Sequence, residues 1–422
     1  MHVDGNNKGG GRLPSIQGVK RYLKFFGPAW LVMIADMDAS STLGAAETGA
    51  LFRYGLIWFM LILIIPLFFI QEASGRIGTV TEKGLGEVIR ENYSKRTTMI
   101  MTVPMVVTDM VTYAVEYIGI AIGLELLGIS TLIALPIVYI LHILIVTKRK
   151  YGTTEIILLA ISSVLIVSFV ATLLIRGIVP YNPIYIAASP DYLFILAVNV
   201  GAVIMPFMLF FQTSATAEKV SKVRKSDISL SGQGRSSVVY RSFTGSALSS
   251  MRKETLAGAV VSELLMVVVE MTMSGVGSGT DFASARQLAG ALSVVANSYS
   301  PYLFGIGLIG AAFLALVVIS MGSAWGLVEA LGFKRNRANS IYIMESLPAL
   351  ITAMIIPESL LINAVLYLLV LFVFVLIGPA VMMGLISKDR RVMGEYATGK
   401  KREIMYWASL AFVVLFGIMA IA

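Results

Sequence analysis

The chain has 422 residues, 57% of them hydrophobic and only 14% charged, and 33 basic against 25 acidic residues give it a net charge of +8. Such a composition excludes a soluble globular domain, and the absence of cysteine excludes disulfides and thiolate metal sites. The positive balance calls for a partner or a topology that explains it.

In chain order, residues 1–24 are polar and glycine-rich and read as a cytoplasmic tail. Apolar stretches long enough to cross roughly 30 Å of hydrocarbon then recur at about 26–51, 55–74, 98–123, 129–147, 153–175, 191–213, 255–277, 303–328, 340–356, 359–386 and 404–422. That makes eleven transmembrane helices. Thirty of the 33 basic residues fall in one set of alternate loops, leaving Arg53, Arg176 and Arg286 in the other. Lysine and arginine concentrate on the cytoplasmic side, so the amino terminus is expected inside and the carboxyl terminus outside. Topology thus accounts for the positive charge without nucleic acid. The longest inner loop, 214–253, is rich in serine, glycine and arginine and reads as mobile.

Within the first span lies "IADMDASSTLGAAETG", residues 34–49. A carboxylate near the bilayer centre costs roughly 2.5–3.5 kcal/mol on insertion scales, and two stand here, Asp36 and Asp38. The run from Ala39 to Thr42 is a poor helix interior, because serine and threonine compete for backbone hydrogen bonds. A break is therefore expected at about 38–42. The sixth span contains "NVGAVIMPFMLFFQ", in which Pro206 lacks an amide donor and frees the carbonyl of Ala202.

The spans divide into halves at 25–176 and 190–387, with 403–422 appended as the eleventh. Five crossings per half place the two first helices in opposite orientations, the requirement of an inverted repeat whose broken helices meet at mid-membrane. An acidic break facing a proline break is a cation site in outline. No lysine or arginine lies deep in these spans, and His142 is the only histidine there, so salt-bridge partners for the acids are scarce.

At these residues the sequence resembles the natural-resistance-associated macrophage protein (NRAMP) metal transporters. The likeness runs through "GPAWLVMIADMD" and "ASSTLGAAETGALFRYGLIWFML", then "FIQEASGRIGTVTEKGLGEVIRENY", "YAVEYIGIAIGLELL" and "GAVIMPFMLFFQTSA". It implies an all-α integral membrane protein of leucine-transporter-like fold, a 5+5 inverted repeat with discontinuous helices 1 and 6. Several motif positions differ. The family's Asp-Pro-Gly-Asn reads Asp38-Ala39-Ser40-Ser41, and the aromatic before it is Asp36. Its Met-Pro-His reads Met205-Pro206-Phe207, its second histidine in that helix is Gln212, and an acidic position of the third helix is Tyr113, while Glu116 remains.

The resemblance and the residues together assign the metal to Asp38, Ser41, the Ala202 carbonyl, Met205 and Asp36. Glu116, Tyr113, Phe207, Gln212, Glu263 and Glu270 are expected in a second shell or along the ion path. Glu263 and Glu270 lie seven apart, on one face of the seventh helix. The soft Met205 thioether favours a transition metal; the added carboxylate and the lost histidines favour a hard ion that keeps its water, such as Mg²⁺. The pattern looks most like the divergent NRAMP-related magnesium transporters. The expected function is import of Mg²⁺ and Mn²⁺ by alternating access without proton coupling.

A proton-coupled Mn²⁺/Fe²⁺ carrier is the alternative, and an organic-substrate carrier of the same fold a further one. A substrate carboxylate would be repelled by Asp36 and Asp38. Enzyme chemistry has no footing, with no His-Glu-x-x-His motif and only two histidines. No cofactor is expected besides the transported ion, no partner besides lipid, and the chain reads as a monomer.

Overall fold

The apolar runs fold as helices in the expected order. The computed structural model describes residues 24–148, 151–231, 237–277, 279–282, 284–356 and 358–420. Two short helices, α1 (Pro28–Ala35) and α2 (Ala39–Phe52), take the place of the first span. After them come α3 (Ile57–Thr81), the short amphipathic α4 (Leu85–Asn92), α5 (Lys95–Leu126), α6 (Thr131–Lys148) and α7 (Tyr151–Arg176). An irregular segment leads to α8 (Pro190–Val203) and α9 (Pro206–Ser231), followed by α10 (Ser237–Met273), the amphipathic α11 (Ala285–Val295), α12 (Ser300–Leu331) and α13 (Ala338–Ile355). The chain ends with α14 (Glu358–Lys388), the single turn α15 (Arg390–Met393) and α16 (Lys400–Met419). Among the described residues ten segments are long and apolar enough to cross a membrane, with 190–227 taken as one. The α1–α2 pair completes the expected eleven.

Burial sorts the helices into centre and periphery. In α1 every residue but Trp30 is buried, and α2 is nearly as enclosed. A helix apolar or small on all sides belongs inside a bundle. By contrast, α6 leaves Leu132, Ile133, Ile137, Ile140 and Leu144 exposed, the face that lipid would cover.

Packing is reciprocal between the halves. The second helices of each half, α3 and α10, pack together, as do the third helices, α5 and α12. The broken pair α1–α2 packs on α10, and the opposite half's α9 packs on α3. Close approach is bought with glycine: a Cβ on Gly78 would strike the Thr213 carbonyl, and one on Gly201 the Leu369 carbonyl.

Three details differ from expectation. Helix α3 runs on to Thr81, which places Arg76 inside the protein rather than in a loop. There it meets Glu72 at 2.6 Å, and Arg252 of α10 reaches the same carboxylate at 2.6 Å. The segment 214–253 is helical over 214–231 and 237–253 rather than an irregular loop. Several of its polar side chains have partners in distant parts of the chain. Ser214 donates to Glu329 at 2.8 Å, and Lys219 pairs with Glu155 at 2.6 Å. Residues 232–236 and the tail 1–23 lie outside the described residues. The last helix begins at Lys400, not 403.

Candidate metal centre

The first interruption, at residues 36–38, begins two residues before the expected 38–42, and the second, at residues 204–205, lies beside Pro206 as expected. Helix α1 ends at Ala35, and Asp36, Met37 and Asp38 make the turn into α2. Ser40, Ser41 and Thr42 do not unwind the chain; they form the first turn of α2. Asp38 is the N-cap, with Oδ1 accepting the Ser41 amide at 2.7 Å and the Ser40 hydroxyl at 2.7 Å. Short polar side chains that disfavour a helix interior favour its start. On the other half α8 ends at Val203, Ile204 is extended, and Pro206 opens α9, where its missing amide costs nothing.

The breaks meet. The Ser41 hydroxyl donates to the Ala202 carbonyl at 3.2 Å, across 161 residues of sequence. Asp38, Ser41, Ala202 and Met205 are all buried, and Asp38 Oδ2 has no hydrogen-bond partner. Glu116 reaches in from α5, its Oε2 accepting the Ala39 amide at 2.9 Å, and Oε1 is left without a partner. Phe207, in the first turn of α9, is fully buried, and its backbone lies against Gly322 of α12. The Met205 amide turns to the Met208 sulfur at 3.3 Å.

Asp36 points to the opposite neighbour. Its Oδ2 accepts the Ser262 hydroxyl of α10 at 2.6 Å, and Oδ1 has no partner. Glu263 lies within electrostatic reach of it, fully buried, with both carboxylate oxygens unpartnered. The ion pairs among the described residues involve none of Asp36, Asp38, Glu116 or Glu263. No three His, Cys, Asp or Glu side chains are gathered to hold a metal among the described residues. Beside Asp38, the Ala202 carbonyl and the Ser41 hydroxyl are the oxygen groups that the two breaks bring together.

Three residues expected in a second shell or along the ion path have polar atoms bonded to groups away from the breaks. Tyr113 donates to Ser320 at 3.0 Å and to Glu345 at 3.2 Å, on the side of α5 that faces α12 and α13. Gln212 lies well along α9 and donates to Thr255 at 3.1 Å. Glu270 accepts the Leu56 amide at 3.1 Å and so ties α10 to the turn before α3. His142 belongs to the Tyr113 group: its nitrogens meet Tyr117 at 2.9 Å and Ser320 at 2.8 Å.

Sequence reasoning missed Ser262, for which proximity to Glu263 was the only signal. It also missed Glu254, whose Oε1 accepts the amides of Gly27 at 2.7 Å and Trp30 at 2.8 Å and so anchors the start of α1. Gly27 has φ 139°, a conformation that requires glycine.

Residues 29–422 match the family model described as "Natural resistance-associated macrophage protein-like". The divalent metal cation transporter MntH of Bacillus subtilis is 26% identical over 423 residues, 96% of this chain and 93% of that protein. MntH of Pediococcus pentosaceus is 25% identical over 95% of this chain and 92% of its own. Among solved structures, the manganese transporter of Eremococcus coleocola superposes with a TM-score of 0.77 at 17% identity, covering 97% of this chain and 88% of its own. The fold is thus the leucine-transporter-like one. The relatives' names are those of carriers and not of enzymes, in agreement with the motif reading.

Proposed function

Because this chain belongs to the natural resistance-associated macrophage protein-like family, we propose that it carries divalent metal cations across the membrane by alternating access. The ion is held where the two helix breaks meet, by Asp38, Ser41, the Ala202 carbonyl and Met205. The observation that carries this reading is the Ser41–Ala202 hydrogen bond of 3.2 Å, which joins the breaks beside the unpartnered Asp38 Oδ2. Intramembrane acids without cationic partners mark ion pathways. All four positions are buried, which fits an occluded state.

The transported ions are Mn²⁺ and Mg²⁺. Met205 gives Mn²⁺ an added soft contact, whereas oxygen ligands alone serve Mg²⁺. Transport runs without stoichiometric proton movement. Phe207 and Gln212 replace imidazoles, and His142 is committed to Tyr117 and Ser320. Membrane potential supplies the drive, about 2.3 kcal/mol per charge per 100 mV, hence roughly 4.6 kcal/mol for a divalent ion. The amino terminus faces the cytoplasm and the carboxyl terminus the outside, as the distribution of basic residues supports.

The test is Mn²⁺ uptake into proteoliposomes with Mg²⁺ as competitor. Inhibition by a millimolar excess of Mg²⁺ is expected. Uptake indifferent to Mg²⁺ would leave a transition-metal carrier and refute the magnesium assignment.

A further inference from the structure

Four carboxylates surround the breaks: Asp38 with Glu116 on one side, Asp36 with Glu263 on the other. One divalent ion at Asp38 balances two of the four negative charges that these groups bear when ionised. Buried charges persist in proteins by pairing or by binding metal. The second pair has the greater shortage of partners. Three of its four oxygens, Asp36 Oδ1 and both of Glu263, accept no hydrogen bond, and both residues are fully buried. The fourth is bonded by the Ser262 hydroxyl at 2.6 Å, which leaves the serine oxygen's own lone pairs available.

We propose that Asp36, Ser262 and Glu263 form a second cation position, between the turn after α1 and helix α10, that is filled together with the metal position at Asp38. The proposal rests on the transport reading given above. All of its donors are oxygen, so the occupant is a hard cation, either a second divalent ion or an alkali ion. Met205 has no part in it. Asp36 sits in the turn between α1 and α2, and Glu263 on a helix of the same half as α9. A cation between them fixes the turn that carries Asp38, so its occupancy and that of the Asp38 position reinforce each other.

Isothermal titration of the full chain in detergent with Mn²⁺ tests this, in choline chloride and again in sodium, potassium or lithium chloride. Two Mn²⁺ per chain in choline chloride assign the position to a divalent ion. One Mn²⁺ in choline, bound about tenfold or more tightly when an alkali salt replaces choline, assigns it to an alkali ion, a change of about 1.4 kcal/mol. In either case Glu263→Gln abolishes the second Mn²⁺ or the alkali effect and leaves one Mn²⁺ bound, while Asp38→Asn removes the first. Ser262→Ala, which keeps both carboxylates, weakens the second cation and covers the case in which Glu263→Gln does not fold. One Mn²⁺ per chain, indifferent to alkali ions and unchanged by Glu263→Gln or Ser262→Ala, overturns the proposal while sparing the transport reading. No Mn²⁺ bound by the wild-type chain overturns both.

Discussion

Replacing Asp38 by asparagine separates two tasks that this residue performs. Its Oδ1 caps α2 by accepting the Ser41 amide and the Ser40 hydroxyl, both at 2.7 Å, while Oδ2 is left for the ion. Asparagine caps a helix as well as aspartate, whereas alanine costs about 1 kcal/mol of cap energy. Asp38→Asn therefore keeps the turn and removes only the charge. Taking one charged partner from a buried charge costs about 3–5 kcal/mol, which corresponds to roughly two to four orders of magnitude in metal affinity. The assay pairs Mn²⁺ uptake in proteoliposomes with the thermal unfolding midpoint in detergent. Asp38→Asn should unfold like wild type and take up no Mn²⁺, and Asp38→Ala should also lose uptake and unfold earlier. Uptake by Asp38→Asn comparable to wild type would refute the assignment of this carboxylate to the ion.

Met205→Ala should weaken Mn²⁺ binding more than Mg²⁺ binding, read as the ratio of the two dissociation constants; an unchanged ratio would remove the thioether from the site. Proteoliposomes loaded with a pH dye should show no acidification that scales with Mn²⁺ flux, and robust acidification would mean that a carboxylate such as Glu116 carries protons. Gly201→Ala should lower the unfolding midpoint, because the new methyl runs into the Leu369 carbonyl and such overpacking costs about 1–3 kcal/mol.

The crossing helices and the presence of two broken ones were legible in local features, namely apolar length, two acids in an apolar run and a proline, whereas their meeting followed from the inverted relation of the two halves. The position of the first break was less so. Ser40, Ser41 and Thr42 are as consistent with a helix start as with an unwound stretch, and the Asp38 cap decides between them. The segment 214–253 misled for a related reason. Its composition is that of a loop, yet Glu329, Glu155 and Glu72 supply partners from distant parts of the chain. Seven-residue spacing put Glu263 and Glu270 on one face correctly, but only tertiary structure separates Glu263 beside Asp36 from Glu270 at the Leu56 amide. The same holds for Tyr113 and Gln212, whose partners Glu345 and Thr255 are fixed by helix packing and by nothing local.

Mn²⁺ scatters anomalously, so diffraction from crystals grown with Mn²⁺ tests directly whether a divalent ion sits between the two helix breaks at Asp38. An anomalous peak is expected in contact with the Asp38 carboxylate, the Ala202 carbonyl and the Met205 sulfur, and absent from Asp38→Asn crystals. A Mn²⁺ peak elsewhere in the bundle that survives Asp38→Asn, with none between the two breaks, would contradict it.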